Sequence, residues 1–253
     1  MAVFVCQHRG RDRRALDVGE SRPRATGCGR LQDQLFRDGP PAPPDRVCHD
    51  LDADGCLPPR YVSKNNLNIA RVGWLCGAFP EARVIVPFRE PLQHAASLRR
   101  QHLNFLEIHR RDDFARQYMA AIGHFDFGAN LRPVDFEGWC DETALDAASG
   151  LDFWLTYWTS GYSHLLREEG PRVRFSSYDA FCAAPQEGLS MLADFLELEE
   201  REVFCSAHAT IHSPRPHRIA MDEADPSILE AARVVHERLK EKSKVESLRS
   251  KVE

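Results

Sequence analysis

Residues 82–91, ARVIVPFREP, constrain the fold more than any other stretch of the chain. The mostly apolar run from Ala82 to Phe88 reads as a strand covered on both faces, as in a parallel sheet packed with helices. Pro87 lacks the N–H that a ladder needs, so it belongs in the strand's last turn. Arg89 then leaves the strand, and Pro91 suits the first position of a helix reaching about Ile108. In open α/β sheets, ligands sit beyond the carboxyl ends of the strands, which is where Arg89 emerges. A guanidinium fork matches phosphate oxygens. The helix start adds free N–H groups and a positive dipole end. Ser97 adds a hydroxyl within two turns. A second account stands beside this one: Arg89 pairs with Glu90 or a helix cap, and Ser97 packs within its helix.

The rest of the chain alternates in the same way. Asn65 or Asn66 caps a helix whose apolar positions include Leu67, Ile69, Val72 and Leu75–Cys76, and Gly77 and Pro80 end it. Asp112–Ile122 reads as a helix, and residues 124–133, HFDFGANLRP, as a loop. Leu151–Glu169 is an amphipathic helix carrying Phe153, Trp154, Trp158, Tyr162, Leu165 and Leu166, stopped by Gly170-Pro171. Arg172–Ser177 alternates like a strand. Pro185 opens a helix to Leu196, and Leu198–Ala207 makes a short one. Residues 208–220 form a basic loop, and Asp225-Pro226 caps a last helix to about Leu239. The expectation is an α/β domain over residues 58–239, a parallel sheet flanked by helices, with residues 240–253 as a charged, fraying tail.

Residues 1–57 read as irregular. The first fifty hold nine arginines and no Lys, Ile, Asn, Tyr or Trp, and no window is periodic. Two readings stand: a flexible extension, or a stretch read out of frame in a GC-rich gene. Gly27-Cys28-Gly29 is too little of G-x-G-x-x-G to make a nucleotide loop. The net charge of −5 gives no broad basic surface, so nucleic acid is not an expected partner. No apolar run nears the ~20 residues of a membrane span. The apolar start is too short for a signal peptide, so a cytoplasmic protein is expected. The eight cysteines include no C-x-x-C pair and read as reduced thiols, not as a disulfide framework or zinc site.

The stretch KNNLNIARVGWLCGAFPEARVIVPFREPLQHAAS resembles the middle of the sulfotransferase family, whose donor is 3′-phosphoadenosine 5′-phosphosulfate. That family has a strand ending in Arg, an acidic-Pro or similar turn, and Ser eight residues after the Arg; here these are Arg89, Glu90, Pro91 and Ser97. The resemblance implies that Arg89 and Ser97 bind the 3′-phosphate. It also implies a lysine at the end of the preceding strand, and Lys64 matches. Lys64 is the only lysine before Lys240, and its implied role is to neutralise charge on the sulfuryl or bridging oxygens. The Trp-rich helix and the segment VRFSSYDAFCAAPQEGLSMLADFLEL extend the likeness, so that residues 58–200 are covered and Tyr178 approaches the adenine. The implied fold is a three-layer α/β sheet of the P-loop nucleoside-triphosphate-hydrolase type. The implied reaction moves a sulfuryl group to a hydroxyl or amine of a small-molecule, carbohydrate or lipid acceptor. A catalytically inactive remnant that binds nucleotide or another protein is the alternative. A P-loop kinase is disfavoured, because G-x-x-x-x-G-K-[ST] is absent.

A general base must take the acceptor's proton. Many relatives place His two residues after the lysine, but Asn66 stands here and is no base. The candidates are His124 and Asp126 in the HFDFG loop, and His94 or His102 after Arg89. His208, His212 and His217 lack a recognised metal-ligand spacing, and the chemistry needs no metal. Arg215 and Arg218 match the basic loop that holds the 3′-phosphate in relatives, although its R-K-G motif is absent. The family's first nucleotide motif, a strand and a Gly/Ser/Thr-rich turn that grips the 5′-phosphosulfate, has no counterpart. VGESRPRATGCG has suitable residues but neither a long apolar strand before it nor a clear helix after it. The fold is therefore expected to be incomplete at its amino end.

Overall fold

The computed structural model describes residues 3–7, 61–168, 170–220 and 223–249, with the backbone alone at 3–7 and 245–249. The glycine-rich and proline-rich stretches between residues 8 and 60 lie outside the described residues. Met1–Cys6 and Val62–Glu253 group into one compact unit, which carries the core and the cavity described below.

Four strands form one sheet in the order β2-β1-β3-β4: β1 (Val3–Gln7), β2 (Tyr61–Asn65), β3 (Arg83–Phe88) and β4 (Val173–Ser177). The helices are α1 (Val72–Ala78), α2 (Pro91–Arg111), α3 (Asp113–Ala121), α4 (Glu142–Asp146), α5 (Leu151–Leu165), α6 (Tyr178–Ala183), α7 (Pro185–Phe195), α8 (Arg201–Ser206) and α9 (Pro226–Arg249). The molecule is thus α/β, mostly helical, around a small sheet.

β3 and β4 are parallel, in register from Val84 beside Val173 to Phe88 beside Ser177. β1 corrects the all-parallel expectation. It runs antiparallel to β3, with Phe4 opposite Ile85 and Cys6 opposite Arg83. It also lies within the stretch that reads as irregular, because VFVCQ is too short to show a period. The β1 register covers Arg83–Ile85 only, so Pro87 falls beyond it and removes no bond from that ladder.

Burial along β3 alternates, unlike the even burial that its apolar run suggests. Val84, Val86 and Phe88 are fully buried in the main core with Trp154, Trp158 and Tyr162 of α5 and Val235 and Leu239 of α9. On the other side, Ile85 meets a small cluster of Phe195, Leu196 and Leu198. The guanidinium groups of Arg83 and Arg174 lie over the Phe195 ring, 5.5 and 4.8 Å from its centroid. Both faces are covered, but the second cover is thin and partly cationic.

Several boundaries differ from the sequence reading. The helix expected over Leu67–Cys76 splits into a 3-10 turn, Asn66–Ala70, and α1. Asn65 caps the turn, its Oδ1 accepting the Leu67 N–H at 2.8 Å. α2 runs past Ile108 to His109, Arg110 and Arg111, cations that suit a carboxyl-terminal dipole. α9 continues to Arg249, and Lys240 pairs with Glu237 one turn back, so the charged tail is helical from residue 240 to 249. Among the described residues, no helix is long and apolar enough to cross a membrane. Among the described residues, Cys76, Cys182 and Cys205 are free thiols.

Candidate functional site

β3 and β4 end side by side, and each turns directly into a helix. Phe88 gives way to Arg89-Glu90 and α2; Ser177 caps α6, whose first residues are Tyr178 and Asp179. A cavity of about 280 Å³ opens at this double strand end, lined by Asn66, Phe88, Arg89, His94, Ser97 and Tyr178. Three residues of the expected nucleotide site, Arg89, Ser97 and Tyr178, therefore share one cavity.

The Arg89 side chain is only 14% exposed, and its Nε lies 3.5 Å from Asp179 Oδ1. That separation is too long for a hydrogen bond, and the buried Nε has no hydrogen-bond partner. Asp179 Oδ2 accepts the Glu90 N–H at 2.7 Å, tying the turn to α6. Arg89 thus pairs with Asp179 and not with Glu90. Glu90 caps its own helix: its carboxylate accepts the Leu92 N–H at 3.2 Å and the Gln93 N–H at 2.7 Å. This corrects the expectation of free amides at the start of α2. Pro91 has no N–H, and Glu90 takes the next two. Anion binding here rests on side chains.

His94 stands one turn into α2, where the Trp158 indole N–H donates to its Nδ1 at 3.2 Å. Burial, with positive charge that includes Arg89, holds this imidazole well below its usual range. Beneath the cavity the Tyr162 hydroxyl donates to the Pro87 carbonyl at 2.7 Å, fixing the end of β3. Burial raises the Tyr178 hydroxyl above its ordinary value, so that this side chain is neutral.

The basic loop reaches the same corner. Gln93 Nε2 donates to the His217 carbonyl at 3.2 Å, and the His217 N–H donates to Gln93 Oε1 at 2.6 Å. Burial lowers the His217 imidazole, and Arg100 and Arg89 push it the same way. Arg215 and Arg218, exposed on either side of His217, do not line the cavity.

Lys64 is the penultimate residue of β2, the strand position expected of it, and is exposed. It does not line the cavity, although Asn66, two residues on, does. His124 and Asp126 are elsewhere: they face each other at 3.5 Å, and His124 stacks on Phe105 at 6.3 Å. His102 is buried, its Nδ1 accepting the Gly128 N–H at 3.1 Å, a structural use of the ring. Of the four base candidates, only His94 lines the cavity. Asp179 and Trp158 were not singled out for function in sequence; Asp179 stands two residues past the end of β4, and Trp158 read as one apolar position of an amphipathic helix. Among the described residues, no group of three His, Cys, Asp or Glu side chains is placed to hold a metal ion.

The cavity combines a largely buried cation, hydroxyls, an imidazole and an aromatic edge. It suits an anion attached to a flat apolar group. No family model, curated protein or solved structure matches this chain.

Proposed function

We propose that the chain is a sulfotransferase, binding 3′-phosphoadenosine 5′-phosphosulfate and moving its sulfuryl group to an acceptor hydroxyl or amine. One observation carries the reading: Arg89, Ser97 and Tyr178, chosen from motif order, line one cavity at the ends of two parallel strands. In this reading Arg89 and Ser97 hold the 3′-phosphate and Tyr178 lies against the adenine. Lys64, on the strand leading to Asn66, neutralises charge on the sulfuryl oxygens, and Arg215 and Arg218 close over the 3′-phosphate from the loop pinned at His217. The acceptor oxygen or nitrogen bonds to sulfur as the bond from sulfur to the bridging phosphate oxygen breaks. 3′-Phosphoadenosine 5′-phosphate leaves, and the acceptor's proton passes to a base or to water. Such a displacement is accelerated by positioning and charge stabilisation rather than by covalent chemistry. The three-layer, P-loop-hydrolase-like architecture belongs to the same reading; the parallel β3–β4 pair, covered on both faces, supports it. So does the cytoplasmic setting, which the free thiols of Cys76, Cys182 and Cys205 favour.

The direction of β1 favours a second reading, a nucleotide-binding module without transfer activity. Because β1 is antiparallel to β3, its carboxyl end lies beside Arg83, opposite the cavity. A loop gripping the 5′-phosphosulfate needs a strand that ends on the cavity side. Incubating the chain with sulfur-35-labelled donor and a panel of phenol, sugar and lipid alcohols separates the two. Label on an acceptor, with release of 3′-phosphoadenosine 5′-phosphate, is the expected result. Nucleotide binding without label transfer replaces it with the second reading, and neither binding nor transfer removes both.

A further inference from the structure

We propose that His94 serves the cavity as a neutral hydrogen-bond donor, presenting Nε2–H to a phosphate or sulfate oxygen, with Trp158 fixing which ring nitrogen carries the proton. This rests on the reading that the cavity takes an anion. An indole N–H only donates, so its bond to Nδ1 at 3.2 Å requires a lone pair there. The ring's one proton then sits on Nε2, the nitrogen left for a ligand. Trp158 is fully buried and cannot turn away without opening the core.

A second proton on the ring has to enter at Nδ1. It breaks the Trp158 bond and places a buried cation in the same cavity as Arg89. The two carboxylates at this corner are engaged elsewhere, Glu90 on the Leu92 and Gln93 amides and Asp179 against Arg89, and the charges acting on the ring oppose its protonation. Arg89 is cationic, Tyr162 is fully buried with its hydroxyl protonated, and Tyr178 is neutral. His236 of α9 lies behind Trp158, 6.3 Å from its ring, and is itself lowered by burial. Nε2 already bears hydrogen, so His94 is not the acceptor's general base, although it is the one base candidate in the cavity. A neutral donor next to Arg89 adds a directed bond to an anion without adding repulsion between cations.

The test uses the full chain with nitrogen-15-labelled histidine, titrated with inorganic phosphate and with 3′-phosphoadenosine 5′-phosphate. His94 Nδ1 is expected to show a pyridine-type shift and Nε2 a pyrrole-type shift throughout pH 6–8. His94→Leu should weaken binding of the nucleotide about tenfold. His94→Gln, whose amide nitrogen falls near the Nε2 position, should recover most of that loss. A proton on Nδ1, His94→Leu binding like the parent, or His94→Gln binding no better than His94→Leu each overturns the proposal. Failure of the transferase reading looks different: the nucleotide then binds no tighter than phosphate, while the order of the His94 variants is kept.

Discussion

Asp179 places a carboxylate beside Arg89, the arginine proposed to bind a phosphate. The carboxylate faces a mostly buried guanidinium at 3.5 Å, balancing its charge without a hydrogen bond, and accepts the Glu90 N–H. With a ligand present, the phosphate takes over the first task and Asp179 becomes a like charge. Asp179→Asn should therefore lower the stability of the ligand-free protein while tightening binding of 3′-phosphoadenosine 5′-phosphate. The stability cost should be about 0.5–1 kcal/mol, discounted because Asp179 is 43% exposed and solvent screens the pair. Urea titrations with and without nucleotide check both signs. A parallel loss of stability and affinity contradicts the account. The histidines make a second prediction at this scale. Burial holds His94, His102 and His236 below the ordinary value of 6.5. Their contribution is present above pH 6.5 and is lost as pH falls from there through the folded values, because the unfolded chain takes up protons first. The urea midpoint should be level between pH 8 and 7 and should drop between 6.5 and 5.5. A midpoint that rises on acidification contradicts this.

At the scale of elements, two side-chain clips hold the strands that frame the cavity. Arg172, just before β4, donates to the carbonyls of Cys76, Phe79 and Pro80 at 2.8–2.9 Å, occupying acceptors at the end of α1. Arg172→Leu should cost about 2–3 kcal/mol in a denaturant titration, since it leaves several carbonyls without their charged donor. Tyr162→Phe removes the donor to Pro87 and should cost roughly 1–3 kcal/mol. A loss under 0.5 kcal/mol in either variant contradicts the clip. β3, α2 and α5 were legible in sequence because each joins an apolar pattern to a Pro or Gly boundary. β1 was not, since five residues show no period and strand direction leaves no local mark. Glu90 was read as part of a motif, but its capping of α2 depends on local side-chain geometry. α6 was hidden because its six residues follow β4 without a loop.

For the whole molecule, what matters is how distant segments converge. Arg89 and Ser97 come from one strand-to-helix turn, Tyr178 from another and Asn66 from the end of β2, and the β3–β4 register brings the two turns together. Motif spacing could suggest the first pair; only the parallel pairing of β3 with β4 explains the third. A ligand bound across these elements should stabilise the folded unit, by about 2.7 kcal/mol at a hundred times its dissociation constant. The central claim is that Arg89 reads a 3′-phosphate. It is tested most directly by calorimetric titration of the chain and of Arg89→Ala with 3′-phosphoadenosine 5′-phosphate and with adenosine 5′-phosphate, which lacks that group. The account predicts that the parent prefers the 3′-phosphorylated nucleotide by about 2–3 kcal/mol, and that the preference collapses in Arg89→Ala. Equal affinity for the two nucleotides in the parent, or a preference that survives Arg89→Ala, contradicts it.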